Sequence, residues 1–392
     1  MQDAEPAKVV SAPDWTPWGQ PRRADEGIET AFHHRLVLIR EAGGPAEIAK
    51  PGDIFVGAGA AVEWSPMPWA LGGRRPGRST DTLQTSRAFV GEGDRLFTTI
   101  NAVCEQLFEG GVLGDASRDR WIEALEARRA FCEARGIVYR HLVVPEGHAL
   151  AADAIPGGPR LAENRPLQRI LAAAPERLRA TFVYPLEALV DARAREETAL
   201  PHDVHVTGYG AFLVYRALAA SLSMIDPASM IALEDLRVRT YLHGGDVAHA
   251  AGWPGRRVKT HERPPFPYKA LVKGASYRTY QVDVLESEKA SLPRLVMFRT
   301  SNSGLLFPYL LHHFSRIAAV ASNEAFYDLI ESERPAVVVG EMPERYFAPH
   351  RQSGNLTDYG APPNEHVDEF EKLTGHALPL PGAISPVQTP EP

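Results

Sequence analysis

The stretch SRDRWIEALEARRAFCEARGIVYRHLVV, residues 117–144, sets the architecture. Trp121, Leu125 and Cys132 fall on one stripe of a 3.6-residue period, with Arg120, Glu126 and Glu133 on the other side. That pattern predicts a helix from about Ser117, a reasonable N-cap, to Arg135, stopped by Gly136. Ile137 to Val144 then reads as a strand whose apolar run is largely continuous, as expected where both faces are covered. Helix, glycine, buried strand is the rhythm of an α/β sheet.

The rhythm recurs on both sides. Upstream, Arg87–Val90, the turn Gly91-Glu92-Gly93-Asp94 and Arg95–Phe97 read as a β-hairpin. Downstream, 166–173 suggests a short helix and Thr181–Tyr184 a strand. Gly210–Ser223 reads as a helix stacking Phe212, Tyr215, Leu218 and Leu222 on one face. Leu295–Phe298 is a buried strand, Leu305–Phe314 a helix, Ile317–Val320 a strand, Glu324–Glu331 a helix and Ala336–Val339 a last strand. Residues 1–85 read as an irregular N-terminal extension holding four of the six tryptophans: Trp15, Trp18, Trp64 and Trp69. These would be apolar anchors on the main domain or a sugar-stacking platform. Residues 351–392 end proline-rich and read as a tail, which leaves 86–350 as the main domain.

Composition narrows the class. Of 392 residues, 44% are apolar and 23% charged, enough for a sizeable core. Gly 32 and Pro 33 together make about 17% of the chain, above the usual ~12%, which predicts long loops rather than a plain helical bundle. A formal charge of −7 makes a poor bulk nucleic-acid binder. Two cysteines, Cys104 and Cys132, cannot build a disulfide framework or a four-cysteine zinc site. No apolar run is long enough for a membrane-spanning helix. The start, MQDAEPAKVV, shows no secretory signal, which by itself favours a cytoplasmic protein or a targeting segment missing from this chain.

Two clusters carry chemistry. In His202-Asp203-Val204-His205, an extended backbone would put Asp203 and His205 on one side. Three readings stand: a general base oriented by an acid, a metal site of His202, Asp203 and His205, or a polar loop capping the next helix. The second cluster, Arg299-Thr300-Ser301-Asn302-Ser303-Gly304, follows a strand and precedes a helix. A serine there is either an exposed nucleophile beside helix N–H groups or an ordinary N-cap.

In order and spacing, these segments resemble the alginate O-acetyltransferases of the AlgX/AlgJ type, which have an SGNH-hydrolase-like domain. Phe89-Val90-Gly91 through Asp94–Phe97 is similar to the family's "VGKDGWLF", and Leu142–Gly147 to "VVPNK". Asp203–Val206 through Ala211 is similar to "DTHWNxxGA", and His243–Val247 to its "GDL" segment. Leu292–Ser303 with Pro308–Leu310 and His313–Arg316 resembles "LPR…GDSFS…PYLxxHFSR", and Glu344-Arg345-Tyr346 the closing "ERY". The resemblance spans about residues 86–350. It implies a three-layer α/β domain with a mainly parallel sheet. It also implies a triad of Ser301 as nucleophile, His205 as base and Asp203 orienting His205, with no cofactor and no metal. The implied activity is acyl-serine transfer of an acetyl group to a polysaccharide, or acetyl-ester hydrolysis. Polysaccharide-export or membrane acetyl-transfer partners and a periplasmic setting go with it. Arg299-Thr300 stands where the family has Gly-Asp, and Val206 where it has tryptophan. The alternative is a degenerate polysaccharide-binding or assembly subunit on the same fold.

Overall fold

The computed structural model describes residues 88–348 apart from 111–112, 252–254, 266 and 278–279, together with the backbone of seven short strands between Val9 and Trp64. Those seven pair in small antiparallel sheets, so the segment expected to be irregular carries short paired strands. The side chains of Trp15, Trp18, Trp64 and Trp69 and the tail over 351–392 lie outside the described residues.

The expected hairpin is β1 (Ala88–Val90) against β2 (Leu96–Thr98), with Gly93 at a left-handed φ of 66° between them. Helix α1 (Asp115–Glu133) starts two residues earlier than expected. Gly114 is its N-cap, and Asp115 puts a carboxylate at the positive end of the helix dipole. Ser117 lies inside the first turn, donating its N–H to Gly114 O at 3.1 Å. After Gly136, at φ 68°, the chain enters β3 (Val138–Val144). Then come α2 (Pro166–Ala173), β4 (Phe182–Val183) and α3 (Gly208–Ala220), whose cap is Thr207, with Oγ1 accepting from Gly210 N at 3.0 Å.

The next stretch holds elements that the sequence reading did not place. Strand β5 (Arg237–His243), α4 (Asp246–Ala251) and β6 (Arg256–Glu262) form a two-stranded ribbon with a helical corner. Strands β7 (Tyr268–Tyr277) and β8 (Tyr280–Ser287) form a hairpin. The expected pattern resumes with β9 (Arg294–Phe298), α5 (Phe307–Leu310), β10 (Arg316–Val320), α6 (Tyr327–Glu333) and β11 (Val337–Pro343). Helix α5 is far shorter than the helix expected over 305–314. Residues Ser301–Leu305 tighten into a 3₁₀ turn, and Ser315 N donates to Pro293 O at 2.8 Å, drawing the chain into β10. Helix α6 begins three residues after Glu324, whose carboxylate accepts from the Tyr280 hydroxyl.

The main sheet has seven strands in the order β4-β3-β11-β9-β10-β8-β7. The first five run parallel, and β8 and β7 continue the sheet antiparallel. Alternate residues serve opposite faces. Leu295 and Met297 pack with Phe212, Tyr215 and Leu218 of α3, while Val296 and Phe298 pack with Phe131 of α1 and Phe326, Leu329 and Ile330 around α6. Both faces are dry, which is why β9 reads as an uninterrupted apolar run. Each such side chain contributes about 1.5–3 kcal/mol on burial. The expected three-layer, mainly parallel α/β architecture is therefore borne out. Strand β9 is the fourth of seven, and its C-terminal end lies three residues before Ser301. Open parallel sheets place their sites at that edge. Among the described residues, no helix is long and apolar enough to cross a membrane.

Candidate active site

Asp203 and His205 do not lie on an extended strand. Residues 201–205 form a turn and bend, closed by a bridge between Ala199 and Val206 and by Leu200 N donating to His205 O at 3.0 Å. The bend still brings the two side chains together. His205 Nδ1–H donates to Asp203 Oδ1 at 2.7 Å, and Val204 N donates to the same oxygen at 2.6 Å. A carboxylate only accepts, so the ring nitrogen facing it carries the hydrogen and Nε2 is left as the acceptor. Ser301, exposed and first in its 3₁₀ turn, lies with Oγ 2.6 Å from His205 Nε2. Residues 96 apart in sequence thus form a continuous hydrogen-bonded relay.

Electrostatics follow from burial and partners. The Asp203 side chain is 4% exposed and that of His205 16%. Burial pushes the Asp203 carboxyl up, but hydrogen bonds from His205, His243 and Val204 outweigh this and hold it below the ordinary value. For His205, burial disfavours the charged ring, yet the hydrogen bond to Asp203 and its charge raise the pKa above the usual 6.5. Asp246, with Oδ2 3.7 Å from His205 Nδ1, adds to the rise.

His202 is not part of this cluster. Its Nε2–H donates to Asp94 O at 2.8 Å, in the β1–β2 turn, so His202, Asp203 and His205 do not form the metal set that the sequence admitted. A different trio, Asp203, His205 and Asp246, has ligand atoms within 4.8 Å of one another. The 2.7 Å hydrogen bond inside it is shorter than the spacing of two ligands on one zinc ion at about 2.0–2.1 Å each in tetrahedral array.

The two residues before Ser301 are braced from neighbouring strands. The Arg299 guanidinium turns away from Ser301 to pair with Asp283 of β8, and Nη1 donates to Thr300 O at 3.2 Å. Thr300 is held by Glu341 of β11, which is 1% exposed. Glu341 Oε2 accepts from Thr300 N at 2.7 Å and from Ser303 Oγ at 2.8 Å, and Thr300 Oγ1 donates to the carboxylate at 3.0 Å. Below the site, Arg345 Nη1 donates to both oxygens of Glu146 at 2.9 and 2.8 Å, tying the ends of β3 and β11. Sequence reasoning missed Glu341. Its signal was a lone carboxylate inside the apolar run Val337–Met342. It also missed a second histidine on Asp203, His243, whose Nε2–H donates to Oδ2 at 2.6 Å.

Solved structures share this fold. A DHHW family protein from Eubacterium siraeum matches with a TM-score of 0.52 and 14% identity, over 72% of this chain and 99% of its own. Bacillus cereus PatB1 with a sulfonyl adduct matches at 0.50 and 12%, over 70% and 97%. The O-acetyltransferase domain of Pseudomonas putida AlgJ is similar at 0.45 and 16%, over 67% and 92%. At these identities, what is shared is the fold. No protein-family model matches the chain, and no curated protein matches it.

Proposed function

We propose that the protein transfers acetyl groups through Ser301 to a hydroxyl of a polysaccharide, with His205 as general base and Asp203 as its orienting acid. The observation that carries this is the relay itself: 2.6 Å from Ser301 Oγ to His205 Nε2 and 2.7 Å from His205 Nδ1 to Asp203. Both lie within the reach that proton transfer needs. In the first half-reaction, Ser301 Oγ attacks the donor's acetyl carbonyl while His205 Nε2 takes its proton. In this reading the Ser301 N–H, at the start of the 3₁₀ turn, would donate to the oxyanion. The donor's leaving group departs with the proton from His205. In the second half, a sugar hydroxyl gives its proton to His205 and attacks the acetyl-serine, and collapse returns the proton to Ser301. Water in place of the sugar makes the same chemistry an acetyl-esterase. The exposed position of Ser301 suits an acceptor as large as a polymer chain. Fold similarity to Bacillus cereus PatB1, solved with a sulfonyl adduct, is the reason for including a sulfonyl probe in the test. A setting outside the cytoplasm, among polysaccharide-export or membrane acetyl-transfer partners, belongs to the same proposal.

The test is incubation with an activated acetyl ester and, separately, an aryl sulfonyl fluoride, followed by intact mass and peptide mapping. Acetyl or sulfonyl gained on Ser301 and absent from Ser301→Ala is the expected result, with ester turnover lower by about 10⁴-fold or more in the variant. Wild type no faster than Ser301→Ala would overturn the enzymatic reading. The chain would then be a binding or assembly subunit on an acyltransferase-like fold.

A further inference from the structure

We propose that His243 is a positioning residue for the Ser301 reaction: it clamps the oxygen of Asp203 that His205 does not use, and so sets both the aim and the basicity of His205. The proposal rests on the reading of Ser301 given above. Asp203 divides its carboxylate between two imidazoles. Oδ1 accepts from His205 at 2.7 Å and from Val204 N, while Oδ2 accepts from His243 Nε2–H at 2.6 Å. With a donor on each oxygen, the carboxylate cannot rotate about its Cβ–Cγ bond without losing one.

The fold specifies this contact. His243 ends β5, and Gly244-Gly245 turns the chain into α4 against the His202–Asp203 backbone. Gly245 sits at φ 81°, and a Cβ there would lie 2.2 Å from His202 O and 3.3 Å from Asp203 Cβ. Ala248 N donates to His202 O at 3.1 Å, which fastens the corner. The Tyr241 ring meets His243 edge-on at 5.7 Å. A side chain 22% exposed is thereby held on one that is 4% exposed.

The chemical consequence has a definite sign. A donor on Oδ2, neutral or charged, withdraws negative charge from the carboxylate that His205 sees. Removing it strengthens the pairing of Asp203 with protonated His205 and moves the His205 titration to higher pH. The other groups facing this pair are Asp246 and Arg345 toward His205, with Tyr241 and the cross-strand Arg256 beside His243.

The experiment compares wild type, His243→Leu and His243→Gln for kcat, KM and the acid limb of kcat/KM with an activated acetyl ester. The His205 imidazole is titrated by NMR in each, and thermal unfolding confirms folding. His243→Leu is expected to lose kcat on the order of 10- to 100-fold, with KM within about twofold. Its acid limb and its His205 titration should both move up in pH, and His243→Gln, which keeps a donor, should restore both. Unchanged kcat and limb in His243→Leu would overturn the proposal, as would equal loss in both variants with no movement of the limb. Should wild type prove no faster than Ser301→Ala, the Ser301 reading fails and the kinetic role with it. The NMR titration then still decides separately whether His243 governs His205.

Discussion

Glu341→Ala removes the carboxylate on which the turn before Ser301 is hung, and the structure sets the size of the loss. Glu341 is 1% exposed and accepts from Thr300 N at 2.7 Å, Thr300 Oγ1 at 3.0 Å and Ser303 Oγ at 2.8 Å. Ser303 Oγ keeps Thr300 O as a second acceptor at 3.0 Å, and the Thr300 hydroxyl is half-buried, so the main orphan is the Thr300 N–H. An unsatisfied buried donor costs about 1–3 kcal/mol, and hydrogen bonds to a charged group about 1.5–3 each. With the void left by the side chain, about 3–5 kcal/mol follows. For a domain of this size that is a melting point lower by roughly 6–15 °C. Glu341→Gln should cost only about 1 kcal/mol. Its amide oxygen can take over the Thr300 N and Ser303 bonds, while its NH₂ donates to Thr300 Oγ1. Burial pushes the Glu341 carboxyl above its ordinary 4.5, against the pull of the Thr300 and Ser303 donors and the Arg299 charge. A folded pKa raised above the unfolded one gives stability that is present below the unfolded pKa and lost as pH rises through the folded pKa. Since Gln cannot ionise, the gap between wild type and Glu341→Gln should narrow as pH rises from 4.5. Thermal melting of the three proteins across that range, with acetyl-ester turnover measured well below the transitions, is the assay. A Glu341→Ala melting point within about 2 °C of wild type, or one no lower than that of Glu341→Gln, would refute the bracing argument.

Two further outcomes follow from the same geometry. In the proposed mechanism neutral His205 is the working base, so the acid limb of kcat/KM should have its midpoint above 6.5, and Asp203→Asn should move it down while slowing turnover about 10³- to 10⁴-fold. A limb at or below 6.5 in wild type would contradict the Asp203–His205 pairing. Arg299→Gly should lower stability by about 3 kcal/mol, because it strips a buried guanidinium from Asp283, yet leave turnover per folded molecule within a few-fold. A loss near 10²-fold would instead place the guanidinium at the oxyanion.

What the sequence disclosed and what it hid divide along burial. Strands β3, β9, β10 and β11 carry apolar side chains to both faces, and their largely continuous hydrophobic runs are legible for that reason. Ribbon β5–β6 was not legible, because RVRTYLH and RRVKTHE leave most side chains exposed, with no period-2 apolar pattern to read. In the candidate site, Asp203 and His205 stood out by spacing, and Ser301 by its place between strand and turn. Glu341 and His243 gave weaker signals, since what matters in each is a partner far away in sequence. Glu341 sits 41 residues from Thr300, and His243 sits 40 from Asp203. A residue whose meaning lies in long-range hydrogen bonds leaves no local period.

The departures around Ser301 are absorbed by the sheet. Where the resembled family has Gly-Asp, this chain has Arg299-Thr300, which removes a carboxylate from the turn and adds a cation beside it. The structure supplies a carboxylate for each residue from a different strand: Glu341 on β11 for Thr300 and Asp283 on β8 for Arg299. Strand β11 neighbours β9 directly, and β8 lies on the other side beyond β10. The turn carrying Ser301 is thus tied to both flanks of the sheet rather than braced from within itself. A nucleophile needs its Oγ fixed relative to the base to within about 0.5 Å. Here His205 sits on the loop leading into α3, and the relay spans that loop and the turn after β9. The cross-strand ties fix one end of the relay, and the Asp203–His243 contact fixes the other. The two residues before Ser301 are therefore anchored from neighbouring strands, and the Glu341 and Arg299 variants test whether that anchoring holds the turn.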